Sequence, residues 1–279
     1  MKLSEIMTTR VVSVGPDDTL DDAIALLDRH GFRHLPIIRK GALVSILSRR
    51  EVSTATGWQT SRERLSRGHR GPLQIHEVMR DRVVTLTPDH DVDAAASMMV
   101  GKRVGMIPVI DRSSLLVGVV TGSDILSALR TRNPSALLGR HRNAGARVSE
   151  YMERRPSSLA PSSGVDEAAG LCCKKDLRHL TVTESGEVVG LVSEVELRHG
   201  FEGEPTEPAG SLADVMVTDV FTIGPDEDLT VAADSMIQHK VSALPVVLDR
   251  QLVGFLRDED VIQHFTARSR IEPTETGAL

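Results

Sequence analysis

The sequence predicts a mixed α/β (α+β) protein made of four copies of one β-α-β-β-α unit, joined as two tandem pairs. Three observations predict it. A Met closes a short apolar-polar segment four times, at Ser4-Glu5-Ile6-Met7, His76-Glu77-Val78-Met79, Ser149-Glu150-Tyr151-Met152 and Ala213-Asp214-Val215-Met216. A Leu/Ile-Pro-Val/Ile run recurs at Leu35-Pro36-Ile37, Ile107-Pro108-Val109 and Leu244-Pro245-Val246, with Leu180-Thr181-Val182 as a variant that has Thr for Pro. The two markers keep step: the four Met lie 72, 73 and 64 residues apart, and so do Pro36, Pro108, Thr181 and Pro245. Unrelated markers in phase through three intervals mean an internal repeat.

Copy two shows the elements in order. Val83-Val84-Thr85-Leu86 is β-branched and apolar, which suits a short strand. After Pro88, the stretch Asp91 to Met99 is rich in Ala and Met behind an acidic first turn, which suits a helix. Gly105 to Ile110 and Leu115 to Val120 are apolar runs split by Asp111-Arg112-Ser113-Ser114, the pattern of a hairpin of buried strands. Asp124-Ile125-Leu126-Ser127-Ala128-Leu129 opens the closing helix. The copies fall at residues 1–56, 75–130, 146–200 and 211–267. A unit of about 55 residues buries too little surface to be stable alone, so pairing is expected. The long polar connections, from Gly57 to Gln74 and from Thr131 to Ala146, group the copies as 1–130 and 146–267.

Composition narrows the function. Hydrophobic residues make up 40% and charged residues 26%, as in a chain that forms a core. Aromatics are only 3%, so the core is aliphatic and base stacking on rings is not available. A formal charge of −6 creates no global field for a polyanion. Two adjacent Cys, Cys172 and Cys173, make no disulfide framework and point to a reducing compartment. The N-terminus lacks a signal-peptide apolar stretch, and about 18 consecutive apolar residues occur nowhere. A soluble, cytoplasmic protein with no membrane contact is expected. No H-E-x-x-H, G-x-S-x-G or P-loop lysine motif is present, and the ten His make no zinc spacing with Cys. These patterns predict neither an enzyme nor a metal site, nor any catalytic cofactor. Cys172 and Cys173 are expected to pack in or beside the core.

With these motifs the sequence resembles the CBS domain (cystathionine-beta-synthase domain) family, whose copies pair into Bateman modules. The resemblance covers nearly the whole chain. Its most specific piece is Gly118-Val119-Val120-Thr121-Gly122-Ser123-Asp124, and the matching junctions are Val44 to Glu51, Gly190 to Glu196 and Gly254 to Asp260. The resemblance implies a stand-alone regulatory protein and ligand sensor. It would bind AMP, ADP, ATP or S-adenosylmethionine in clefts between paired copies and signal to a partner protein. It also implies modules that stack through helical faces, either as a disc within one chain or as a homodimer sharing it.

Thr121-x-x-Asp124, Ser48-x-x-Glu51 and Ser193-x-x-Glu196 are also capping boxes, in which the carboxylate returns to the N-cap amide. The longer Glu51 and Glu196 suit capping; the shorter Asp124 and Asp260 suit the two hydroxyls of a ribose. In the family the residue three before the Pro lies near the phosphates, which selects Arg33, Gly105, Arg178 and Ser242. Odd copies therefore carry a guanidinium followed by His34 or His179, and even copies carry the short carboxylate. One expectation is a composite site per pair: Thr121 and Asp124 with Arg33 and His34, and Asp260 with Arg178 and His179. Arginine suits phosphate because its planar fork donates two parallel charged hydrogen bonds. The competing reading leaves Arg33 and Arg178 as solvated charges. Arg257 stands where the family has Thr or Ser, losing a ribose contact but offering a phosphate contact. Thr87, before Pro88, matches a position that touches ligand, and Val104 and Ser48 complete the set. The first module is the better equipped. A rival function is docking of nucleic acid or a partner protein through Arg-rich linkers: Arg62, Arg64, Arg67 and Arg70 in the first, and Arg130, Arg132, Arg140, Arg142 and Arg147 in the second. Nucleic acid is not the expected partner.

Overall fold

A computed structural model describes residues 1–56, 72–79, 83–132, 145–200 and 210–269. In copy one, helix α1 (Leu20–His30) starts at Thr19, whose hydroxyl accepts from the Asp22 amide, and ends at Gly31, whose φ of 65° is the left-handed turn glycine adopts freely. Strands β1 (His34–Arg39) and β2 (Ala42–Ser48) form an antiparallel hairpin, and α2 (Arg49–Thr56) follows. Copy two repeats this with α3 (Val92–Lys102), β3 (Met106–Ile110), β4 (Leu116–Thr121) and α4 (Gly122–Arg132). Copy three supplies α5 (Val165–Lys175), β5 (His179–Glu184), β6 (Glu187–Ser193) and α6 (Glu194–Gly200). Copy four supplies α7 (Leu229–His239), β7 (Ala243–Leu248), β8 (Gln251–Arg257) and α8 (Asp258–Ser269).

The expected first strand of each copy is shorter than the apolar pattern suggests. Val83 to Leu86 contributes one parallel bridge, Leu86 to Val109. Val14 and Ile223 do the same against Ile37 and Val246, and Ser158–Leu159 is a two-residue strand beside β5. A Pro lies two residues beyond each of these contacts, at Pro16, Pro88, Pro161 and Pro225. Without an N–H it cannot extend a ladder. The Pro of the second marker has a different place. The carbonyls of Pro36, Pro108 and Pro245 accept from the amides of Val14, Leu86 and Ile223 at 3.0, 3.2 and 3.1 Å, so only the acceptor of each Pro is used there.

Pairing within a module goes beyond side-by-side packing. The opening segment of each odd copy crosses to its partner: Thr8 exchanges two backbone hydrogen bonds with Val119, at 2.9 and 3.0 Å, and Glu153 exchanges two with Phe255, at 2.8 and 3.0 Å. Val217 of copy four returns the exchange with Leu191, and Gln74 bridges to Thr19. This crossing accounts for three of the four Met of that marker. A Cβ on Gly118 would lie 2.7 Å from Met7 Sδ, and one on Gly190 would lie 2.5 Å from Met216 Sδ. Gly254 faces Met152 in the same way. Met7, Met152 and Met216 each lie where a glycine of the partner copy has no side chain.

The hairpins of a module meet at their turn ends, through Ala42 and Leu115 in the first and Glu187 and Gln251 in the second. In the second module this yields a five-stranded sheet in the order Ser158–Leu159, β5, β6, β8, β7. Copies one and three have apolar cores of their own, around Leu20, Leu27 and Leu35 and around Val165, Leu180 and Leu197. Copies two and four share one core, in which Met99, Ile125 and Leu129 pack with Met236, Val261 and Ile262. Helices α3 and α4 of the first module thus lie on α7 and α8 of the second. Copy two opposes copy four, and copy one opposes copy three.

Candidate functional site

The four strand-to-helix junctions have the same local geometry. Asp124 Oδ2 accepts from the Thr121 amide at 2.8 Å and from the Thr121 hydroxyl at 2.7 Å. Glu51 does so with Ser48 at 2.8 and 2.9 Å, and Glu196 with Ser193 at 2.8 and 2.5 Å. Asp260 Oδ2 accepts from the Arg257 amide at 2.8 Å. All four carboxylates cap their helices, the short ones included. Asp124 uses Oδ2 for both bonds, and its Oδ1 makes none among the described residues.

The other candidates converge where all four copies meet. Arg33 forms an ion pair with Asp258 of copy four at 3.6 Å, and Arg178 forms one with Glu259 at 2.6 Å. A Cβ on buried Gly105 would lie 3.2 Å from His34 Cε1 and 3.8 Å from Arg178 Nη1. One on Gly122 would lie 2.8 Å from Asp258 Oδ2. The bare backbone of copy two leaves room for these charges. His34 and His179 are both held down at about 3, first by burial and then by the positive fields of Arg33 and Arg178, with Arg257 adding to His179. Both imidazoles are neutral at neutral pH. Burial raises the Asp258 carboxyl, with Arg33 pulling the other way, and burial likewise raises Glu194 and Asp260.

Arg33 leaves the expected grouping by pair, whereas Arg178 stays within it but with a different carboxylate. Arg33 meets a carboxylate of copy four rather than Asp124, and Arg178 meets Glu259 rather than Asp260. Arg257 pairs with Glu153 and lies 5.8 Å from the Phe255 ring centre; His179 lies 6.2 Å from the same ring. The Ser242 carbonyl accepts from the Asp258 amide at 2.9 Å. Thr87 bonds to His90 through its hydroxyl at 2.8 Å, and the Val104 amide donates to Met99 at 3.1 Å.

Sequence reasoning missed Asp258, Glu259, Glu194 and Gly122. The signal lay in the two residues after the hydroxyl position, which read Arg49-Arg50, Gly122-Ser123, Glu194-Val195 and Asp258-Glu259 in the four copies. They are basic, neutral, acidic and acidic. It also missed the link between copies one and three. Arg49, 7% exposed, donates to Asp28 at 2.6 Å, to the Phe32 carbonyl at 2.7 Å and to the Leu27 carbonyl at 2.6 Å. Arg198 of copy three grips the other oxygen of Asp28. Burial pushes the Asp28 carboxyl up, but the two guanidiniums outweigh it and hold it below its ordinary value. Two crevices of about 10 Å³ lie on this seam, one lined by Leu27, Arg49, Glu194 and Arg198, the other by Arg50, Thr54, Cys172 and Cys173. Both are far smaller than the roughly 300–1,000 Å³ of small-molecule pockets. Cys172 is buried and its thiol is pushed up to about 12, chiefly by burial; Cys173 is exposed.

Among the described residues no His, Cys, Asp and Glu group is placed to hold a metal ion, and no helix is long and apolar enough to cross a membrane. Of the linker arginines, Arg62, Arg64, Arg67, Arg70, Arg140 and Arg142 lie outside the described residues, as does the Arg132 side chain. Arg130 pairs with Asp234 at 2.9 Å and Arg147 with Asp226 at 2.8 Å.

Comparison with known proteins agrees with the fold. The crystal structure of protein MJ1225 from Methanocaldococcus jannaschii aligns over 95% of this chain and 100% of its own, with a TM-score of 0.81 at 21% identity. A conserved protein from Pyrococcus horikoshii aligns over the same shares with a TM-score of 0.64, also at 21% identity. At that identity the likeness is one of fold. In sequence, the CBS domain-containing protein YhcV of Bacillus subtilis (strain 168) is 27% identical over 123 residues, 44% of this chain and 81% of its own. An inosine-5'-monophosphate dehydrogenase of Korarchaeum cryptofilum (strain OPF8) is 30% identical over 154 residues. These are 54% of this chain but only 29% of the enzyme. The CBS domain model matches residues 3–56, 75–131, 148–203 and 212–267, and the chain therefore belongs to the CBS domain family.

Proposed function

We propose that the protein is a regulatory sensor that binds an adenosine-containing nucleotide between paired copies and signals its presence to a partner protein. The ribose would sit on Asp124 and Thr121 in the first module, and the phosphates would point inward to Arg33 and Arg178. One observation carries this reading. Two guanidiniums from different modules converge at the junction of all four copies, beside two neutral imidazoles. An anion entering there would meet four potential donors in a partly buried place, where salt screens less than at an open surface. The unused Oδ1 of Asp124 supplies the acceptor a ribose hydroxyl requires. In the second module Arg257 is already engaged by Glu153, which favours the first. The ligand classes are AMP, ADP, ATP and S-adenosylmethionine.

The docking alternative through Arg-rich linkers gains less support, because both linker arginines whose side chains are described, Arg130 and Arg147, pair with acids of copy four. The test is thermal unfolding against AMP, ADP, ATP, S-adenosylmethionine, NAD and cyclic dinucleotides. A ligand at 100 times its dissociation constant adds about 2.7 kcal/mol to stability, an upward shift of the midpoint that is readily measured. If none of the six moves the midpoint, the sensor reading falls.

A further inference from the structure

We propose that Asp258 and Glu259 form a carboxylate latch, an internal anion that occupies a polyphosphate site at the junction of the four copies until a ligand displaces it. The proposal rests on the nucleotide reading only for the source of the phosphates.

The latch is built from residues of three copies. Arg33 of copy one and Arg178 of copy three both reach the first turn of α8 in copy four, where Asp258 and Glu259 are adjacent. Copy four alone has acids at both positions after its strand; the others read Arg49-Arg50, Gly122-Ser123 and Glu194-Val195. The same helix start is favourable for negative charge, because its unpaired amides and dipole point there. Asp258 uses one, accepting from the Glu259 amide at 3.0 Å.

The internal anion is an imperfect fit. Arg33 meets Asp258 at 3.6 Å, beyond a good charged hydrogen bond, and Arg33 Nη1 is buried with no hydrogen-bond partner. Buried donors are normally satisfied, and one that is not marks a place where another group belongs. A phosphate chain presents several acceptor oxygens in several directions and can take two parallel N–H bonds from each guanidinium. Asp258, at 3.6 Å from Arg33, does not. The neutral His34 and His179 stand beside the same space and would add no repulsion.

Displacement has a route outward. Helix α8 is also one of the two helices through which copy four packs on copy two, touching both α3 and α4. A shift of its first turn would be felt in the core shared by Met99, Ile125, Val261 and Ile262. Packed interfaces of this kind rearrange between discrete states rather than deform smoothly.

Calorimetric titration of the full chain with sodium tripolyphosphate tests the latch. The D258N/E259Q variant keeps the shapes and removes both charges. It is expected to bind tripolyphosphate at least roughly tenfold more tightly than wild type, the change due to one charged competitor removed. Adding Arg178→Gln to that variant should abolish the gain. Should the double variant fold poorly, Glu259→Gln alone, at a partly exposed position, is expected to tighten binding in the same direction. Equal affinity in wild type and the folded variants would overturn the latch. ATP titrated into the same proteins separates the two readings. Tripolyphosphate gaining while ATP fails to bind would leave the latch standing and remove the nucleotide reading. ATP binding wild type with no gain for either anion would do the reverse.

Discussion

Asp124 has two roles that substitution can separate. As a cap it holds the Thr121 amide and hydroxyl, and loss of such a cap costs about 0.5–2 kcal/mol. As a ribose acceptor it would offer a charged hydrogen bond, worth about 1.5–3 kcal/mol. Asp124→Ala should therefore weaken nucleotide binding by roughly 10- to 150-fold, measured by calorimetry. Glu51→Ala removes the equivalent cap in copy one and should leave affinity unchanged. The same weakening in both variants would mean that only helix stability was lost. The histidines give a second prediction at this scale. His34 and His179 titrate near 3 in the fold and near 6.5 when unfolded, so the unfolded chain binds more protons between those limits. Stability should fall as pH falls from about 6.5 toward 3, by up to about 1.4 kcal/mol per pH unit for each histidine. Asp258, Asp260 and Glu194, raised by burial, act with the opposite sign, gaining stability as they take up protons. Urea midpoints at pH 7 and pH 5 should therefore separate more in wild type than in a His34→Asn/His179→Asn variant. The candidate residues themselves could be named, because the resemblance to the CBS family, laid on the repeat, implies Arg33, Arg178, Thr121 and Asp124. Their partners were not. A linear motif gives no account of which copy lies opposite which, so the charges of Asp258 and Glu259 had no visible counterpart.

At the scale of elements, the repeat and its hairpins could be read from the chain because each has a period or a turn. Asp111 illustrates it: its Oδ1 accepts from the Ser113 and Leu115 amides at 2.8 and 2.9 Å, closing the turn between β3 and β4. The opening strands could not be read correctly, since Val83 to Leu86 reads as one apolar run although only Leu86 is buried and bridged. The Met marker was visible as a pattern, but its reason lies in the partner copy. Gly118→Val tests that reason. Its branched side chain would run into Met7 and toward the Thr8 carbonyl, and overpacking of this kind costs about 1–3 kcal/mol. Chemical denaturation should show that loss, and Met7→Ala in the same chain should recover part of it. Two independent losses that simply add would mean that the residues do not press on each other.

For the whole molecule, the two seams between modules differ in kind. Copies two and four meet through aliphatic side chains, while copies one and three meet through Asp28 held between Arg49 and Arg198. Asp28→Asn would leave two buried guanidiniums without their counter-charge. Breaking buried ion pairs costs about 3–5 kcal/mol, and the partial exposure of Asp28 lowers this to about 2–3 kcal/mol. Equilibrium unfolding in urea should show that loss, and a variant as stable as wild type would mean the link is ornamental. The crossed opening segments reach further than any one of these contacts. Because Thr8 is hydrogen-bonded to Val119, Val217 to Leu191 and Glu153 to Phe255, copies two, three and four each complete a sheet with a segment of the partner copy. A gene fragment ending inside a module would encode a half with a missing edge, so grafting, swapping or duplicating parts of this protein can succeed only in units of two.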